Sequence, residues 1–313
     1  MTRGEFMNSF FTALITVGIM LCYAVPGFLL IKSKLVKSDS ISAFAKLLMY
    51  VCSPMLVINS ITSVKFSLAL LWKMIFSFFF ILIVLVSFLL IFSLIFKKKY
   101  DDPKYRIYTL CTSFSNCAFM GVPVLQALLP HYPEAITISA MFSLAMNILG
   151  WTVASFIITG DKRHMSVKKI FLNPAVIALF VALPLLIFGV DFPSQIDGMI
   201  SLLAKMTSPL CMLIIGMRLA CAPLKDVFTS PGQYLIALIK QIALPLLVLL
   251  ILLPIPVEHN LKLTIYIMFI CPVASVILSF AEMLGQGQKT AASMVLLSTS
   301  LSIITIPIMC FII

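Results

Sequence analysis

The stretch Ser113-Phe114-Ser115-Asn116-Cys117-Ala118-Phe119-Met120-Gly121-Val122-Pro123 puts an amide, a glycine and a proline in the middle of an apolar run from about Tyr105 to Leu129. That run is long enough to cross a bilayer, yet it carries helix breakers where a spanning helix should be most regular. Each N–H or C=O left unpaired at membrane depth costs several kcal/mol, so a break facing lipid is not tolerated. One that lines a cavity or an ion path is. A second interruption stands at Cys271-Pro272-Val273-Ala274-Ser275. If both spans restart at mid-depth, two half-helix N-termini face one point from opposite sides. Each offers free N–H groups and roughly half a positive charge, which suits a carboxylate or another anion. The carbonyl ends of the two preceding halves offer the reverse chemistry, ligands for a cation. A kink used only for packing is the plain alternative for either span alone. Two interruptions in related positions favour a binding site instead.

The elements that hold these breaks follow from composition. With 313 residues, 62% hydrophobic and 11% charged, and a mean hydropathy of +1.15, the chain reads as an all-α polytopic membrane protein. No gap between apolar runs is long enough for a soluble domain. Ten spans of about 20–27 residues fit: Ser9–Ile31, Ile41–Ile61, Leu70–Phe96, Tyr105–Leu129, Ala135–Thr159, Ile170–Gly189, Ile196–Cys221, Gln233–Leu253, Leu261–Leu284 and Thr290–Ile312. The first is too long for a signal-peptide core and is expected to stay as a span. The net charge of +11 would suggest nucleic acid in a soluble protein. Here fifteen of the 22 Lys and Arg, among them Lys32, Lys97, Arg163, Arg218, Lys225 and Lys289, fall in or beside the loops after odd-numbered spans; four fall on the other side. Positive loops stay cytoplasmic, so both termini are expected outside the cell membrane, with no nucleic-acid partner. The eight cysteines lie in apolar segments without CxxC spacing, as small packing residues rather than a disulfide or metal framework.

The chain also repeats itself. Ser53-Pro54 in span 2 recurs as Ser208-Pro209 in span 7, and the same offset of 155 carries Asn116-Cys117 onto Cys271-Pro272. Spans 1–5 land on spans 6–10. Because five is odd, the second half must be inserted upside down. The expected architecture is two inverted five-helix repeats, residues 1–160 and 161–313, with crossed broken helices 4 and 9.

At these residues the chain resembles the auxin efflux carrier family of membrane transporters. Asn116-Cys-Ala-Phe-Met-Gly121-Val-Pro123 is similar to the family's Asn…Gly-x-Pro signature, and Cys271-Pro272-Val273-Ala274 to its Pro-x-Ala break. The run from Ala291 to Pro307 is similar to its tenth span. The resemblance implies a fold like that of sodium/proton antiporters and bile-acid symporters. Spans 1, 2, 6 and 7 would be a scaffold, spans 3–5 and 8–10 a moving transport domain, and the protein a homodimer through spans 2 and 7. It implies an organic anion as cargo, indole acids in plant members and dicarboxylates in several bacterial ones. The loop between spans 5 and 6 is short, as in bacterial-type members, and Gly285-Gln-Gly-Gln288 lacks the Asp that many members carry after span 9. Asn116, Met120, Gly121, Pro123, Cys271, Pro272, Val273 and Ala274 are the candidate substrate-binding residues on this basis.

Three polar residues at depth join them. Lys205 and Lys240 lie roughly 10–12 Å into spans 7 and 8 at 1.5 Å per residue, and an ionisable group at that depth is a functional candidate, with snorkelling to the headgroups the alternative. Asn147 in span 5 is either interhelical glue or a ligand. Acidic residues are sparse: within the spans only Glu282, near the cytoplasmic end of span 9, and Asp197 at the very start of span 7. An anion leaving a negative-inside cell moves down the potential at about 2.3 kcal/mol per charge per 100 mV and needs no coupling ion. The reading is therefore a secondary transporter of a small organic anion by alternating access, with no cofactor and no metal. A sodium-coupled symporter on the same fold is the alternative. A membrane-embedded lipid-modifying enzyme is the remote one, since no acid–base pair or metal cluster is in place.

Overall fold

The computed structural model describes residues 3–222 and 227–312, and every regular element in it is helical. Lys225, one of the loop cations counted above, lies outside the described residues. Among the described residues, eight helical stretches are long and apolar enough to cross a bilayer. They are α1 (Met7–Lys32), α2 (Ser38–Thr62), α3 (Leu68–Lys99), α5 (Glu134–Thr159), α6 (Lys162–Ile187), α7 (Ser194–Cys221), α8 (Pro231–Leu252) and α10 (Gln288–Cys310). The other two expected spans are the interrupted ones. Each consists of two short helices joined end to end: α4a (Pro103–Ser113) and α4b (Val122–Leu128), then α9a (His259–Ile270) and α9b (Val276–Leu284).

Local chemistry sets these ends. The Asp102 carboxylate accepts from the N–H of Lys104, and Pro103 takes the first turn of α4a, where no N–H is needed. The helix stops at Phe114, whose backbone is extended. The chain re-enters through a widened π-type turn at Cys117–Gly121, and Pro123 falls in the first turn of α4b. In the ninth span Cys271 is extended and Pro272 cannot continue the helix. Gly285, at φ 72°, then ends α9b. The two Ser-Pro sites behave as kinks. A π-type turn at Leu48–Cys52 precedes Pro54, and α7 is interrupted at Met206 just before Pro209. The kinks touch: the Thr207 hydroxyl donates to the Cys52 carbonyl at 3.2 Å, two residues that are themselves 155 apart.

Helices α1 and α7 approach so closely that a Cβ on Gly27 would lie 2.0 Å from the Leu213 carbonyl oxygen. One on Gly216 would lie 1.8 Å from that of Ala24. Glycine is required at both crossings. Helix α6 and the first half of α7 pack on the second half of α2, while α3 packs on α5 and on α4a; α1 also lies along α10 and α4b. Burial grades accordingly, from 17% of the central window of α1 to 72% for α10. Large apolar side chains such as Leu94, Ile83 and Phe180 face outward, the surface that a bilayer covers.

Candidate functional site

The two unwound links cross antiparallel. Ser115 pairs with Val273 as a single β-bridge, the Asn116 N–H donates to the Pro272 carbonyl at 2.8 Å, and the Ala274 N–H donates to the Phe114 carbonyl at 3.1 Å. Backbone groups that a continuous helix would have paired internally are thus paired with each other, each such bond sparing about 1–3 kcal/mol of orphaned buried polar group. Because the pairing is antiparallel, the separation between partners shrinks by two per step, from 160 at Phe114–Ala274 through 158 at Ser115–Val273 to 156 at Asn116–Pro272, next to the 155 that relates the kinks. The prolines do different jobs: Pro123 sits inside the restarted helix, whereas Pro272 sits in the link itself.

Behind the crossing lies Lys240, with no solvent exposure. Its Nζ donates to Ser115 Oγ at 2.5 Å and to the Phe269 carbonyl at 3.0 Å, and lies 5.7 Å from the centre of the Phe269 ring. The ammonium therefore meets the carbonyl end of α9a, where the helix dipole is negative. Beside it the Gln241 amide donates to the Ser298 carbonyl at 3.0 Å, and the Ser298 hydroxyl accepts from the Val273 N–H at 3.1 Å. These contacts fix the link of the ninth span from α8 and α10.

In front of the crossing is a cavity of about 140 Å³. Helices α2, α6 and α7 contribute Ser53, Ser60, Asn173, Cys211 and Arg218 to its wall; α4, α5, α9 and α10 contribute Ser115, Asn116, Ser139, Ser143, Asn147, Ala274, Ser275, Ser279 and Val295. The wall is mainly apolar with hydroxyls and amides set into it, as small-molecule sites are. Asn116 is 3% exposed and its Nδ2 has no protein partner. An orphaned buried N–H₂ in a cavity wall is open to any hydrogen-bond acceptor that enters the cavity. Asn147 is already engaged: its Nδ2 donates to the Ser143 carbonyl at 2.9 Å and its Oδ1 accepts from Asn173 Nδ2 at 2.8 Å.

Of the residues the sequence singled out, Asn116, Ala274 and Asn147 line the cavity, and Pro272 and Val273 form the crossing backbone. Met120 and Cys271 are fully buried outside the cavity wall, and Gly121 allows the close approach, since a Cβ there would lie 3.2 Å from Cys271 Sγ. Pro123 shapes α4b without reaching the cavity. The two lysines are placed differently. Lys240 supports the crossing from behind and does not line the cavity. Lys205 is exposed in the last turn before the α7 kink, away from the cavity, because depth along a helix says nothing about which face a residue takes. Arg218, read from the sequence as a loop cation, is the charged residue among the described cavity-lining ones. It forms an ion pair with Glu282.

Far from this site, Lys73 bridges Glu134 at 2.5 Å and Glu258 at 2.6 Å. The Tyr132 hydroxyl is 3.4 Å from Glu258, and burial pushes its phenol well above the usual tyrosine range. This cluster ties α3, α5 and the segment leading into α9a together.

A family model described as "Membrane transport protein" matches residues 11–167 and 162–310, nearly the whole chain. The chain belongs to the auxin efflux carrier family. It is thus a multi-pass membrane protein of a transporter family rather than an enzyme. No curated protein matches it. In this family member a cavity with the unpartnered Asn116 amide and one guanidinium in its wall lies at a discontinuous-helix crossing.

Proposed function

We propose that this family member is a secondary carrier for a small organic anion, a carboxylate, moved by alternating access about the helix 4/9 crossing. The observation that carries this reading is Asn116, whose buried amide donor has no protein partner and faces a cavity bounded by the Ala118–Phe119 turn and the start of α9b. A carboxylate there meets the amide together with the first N–H groups and the positive dipole end of α9b.

The same reading takes residues 1–160 and 161–313 as inverted repeats. Helix α1 on α7 answers α6 on α2, and Thr207 meets Cys52 across the kinks. Helices 1, 2, 6 and 7 then form the scaffold and 3–5 and 8–10 the moving group, and the cavity takes its wall from both. The exposed Leu47 and Tyr50 of α2 and Leu202 and Met206 of α7 give the homodimer an apolar contact. Both termini lie outside the cell on the charge rule.

The test is uptake of radiolabelled organic acids into proteoliposomes, with the membrane potential clamped at two values. Saturable flux of a carboxylate that scales with potential is expected. Flux that appears only with a sodium gradient would move the reading to symport. No flux of any acid in either direction would overturn it.

A further inference from the structure

Arg218 and Glu282 stand where the proposed scaffold meets the proposed moving group. Arg218 belongs to the last turn of α7 and lines the cavity. Glu282 belongs to α9b and is not part of the wall. Both terminal nitrogens of the guanidinium donate to the two carboxylate oxygens, a fork-on-fork grip specific to planar anions. The side chain of Arg218 is 18% exposed and that of Glu282 46%, so the pair sits where the cavity reaches the surface.

A second contact fixes how far this is from the crossing. Cys211 Sγ and Ser275 Oγ are 4.0 Å apart, and both they and the ion pair join residues 64 apart in sequence. Helices α7 and α9b therefore run side by side along the wall, and the ion pair stands seven residues, roughly 10 Å, from Ser275 at the start of α9b. The guanidinium is the one cation described in the wall, and a carboxylate of the protein already occupies it.

Resting on the anion-carrier reading, we infer that Arg218 is the specificity-determining cation of this site and that Glu282 is its resident competitor. An incoming carboxylate replaces Glu282 on the Arg218 fork at the mouth of the cavity, the outer of two stations whose inner one is Asn116. The exchange removes the ion pair that joins α7 to α9b, so binding of cargo itself frees the two bodies to move. An uncharged analogue cannot make that exchange, which excludes it from transport without any steric filter.

The test uses the full-length protein in nanodiscs with Ser279→Cys as a reporter, one turn from Glu282 and in the cavity wall. N-ethylmaleimide labelling at residue 279 is read by mass spectrometry against acetate, succinate and benzoate, with acetamide as the neutral control. At least one acid should protect and acetamide should not. In Glu282→Gln the half-protecting concentration should fall about two- to fivefold, the worth of a partly exposed ion pair. In Arg218→Gln it should rise about tenfold or more, as a charged hydrogen-bond partner is lost. Arg218→Lys, which keeps the charge without the fork, should fall between, and serves if Arg218→Gln does not fold. If an acid protects but Glu282→Gln leaves its midpoint unchanged or raises it, the competitor role is overturned and the carrier reading stands. If no acid protects the parent protein, both fail together.

Discussion

Replacing Asn116 by alanine should separate fold from function. The side chain is 3% exposed and its Nδ2 has no partner within the protein. Burying such a donor costs about 1–3 kcal/mol, which Asn116→Ala removes. Against this stands the loss of the few contacts of a short side chain that already borders a cavity, a cost of the same order. The two nearly cancel, so stability should change by less than about 1 kcal/mol, a shift of the melting midpoint of no more than a few degrees. The Asn116 N–H to Pro272 bond is backbone and survives the substitution. Transport should respond very differently. A hydrogen bond to a charged acceptor is worth about 1.5–3 kcal/mol, so uptake of the cognate acid at limiting concentration should fall about 10- to 150-fold. Parallel differential scanning fluorimetry and proteoliposome uptake measure both quantities on one preparation. Unchanged uptake would refute the assignment of Asn116 as a ligand. A melting midpoint lowered by ten degrees or more would refute the claim that its amide has no structural partner.

Three further outcomes follow from placement. Gly216→Ala should cost several kcal/mol and lower the melting midpoint clearly, because its Cβ would fall 1.8 Å from the Ala24 carbonyl oxygen; Gly18→Ala, with nothing within 4 Å, is the neutral control. Lys240→Met keeps the volume but leaves Ser115 Oγ and the Phe269 carbonyl without their donor. It should abolish transport while changing stability little, since relief of a buried charge offsets the lost bonds; normal uptake would show that the crossing needs no ammonium. Lys205→Gln should leave uptake of the cognate acid unchanged within twofold, as the residue is exposed and outside the cavity.

Much of this architecture was legible in the chain, and the failures have physical causes. Proline, glycine and asparagine inside apolar runs announce a break because a regular helix excludes them, so both interrupted spans could be located. The separation at the crossing was close as well: antiparallel partners change separation by two per step, and Asn116–Pro272, at 156, lies beside the 155 that aligned the two breaks. The job of each proline was not legible, because a dispensable N–H occurs equally in the first turn of α4b and in the open link of the ninth span. Depth was legible for Lys205 and Lys240 from their distance to the span ends. Azimuth was not, since the interruption of α7 at Met206 and the π-type turn at Ile239–Ala243 of α8 break the simple helical phase. Arg218 was hidden for another reason. It lies at a span end, where cations are expected anyway, and its partner is 64 residues away, a separation that leaves no local pattern.

The most direct measurement of the central claim is a density map of the protein saturated with an acid it transports. The acid's carboxylate should lie in the cavity in front of the Ser115–Val273 bridge, within hydrogen-bond distance of Asn116 Nδ2 and of the first N–H groups of α9b. A bound acid elsewhere, with the Asn116 amide left unengaged, would contradict the account.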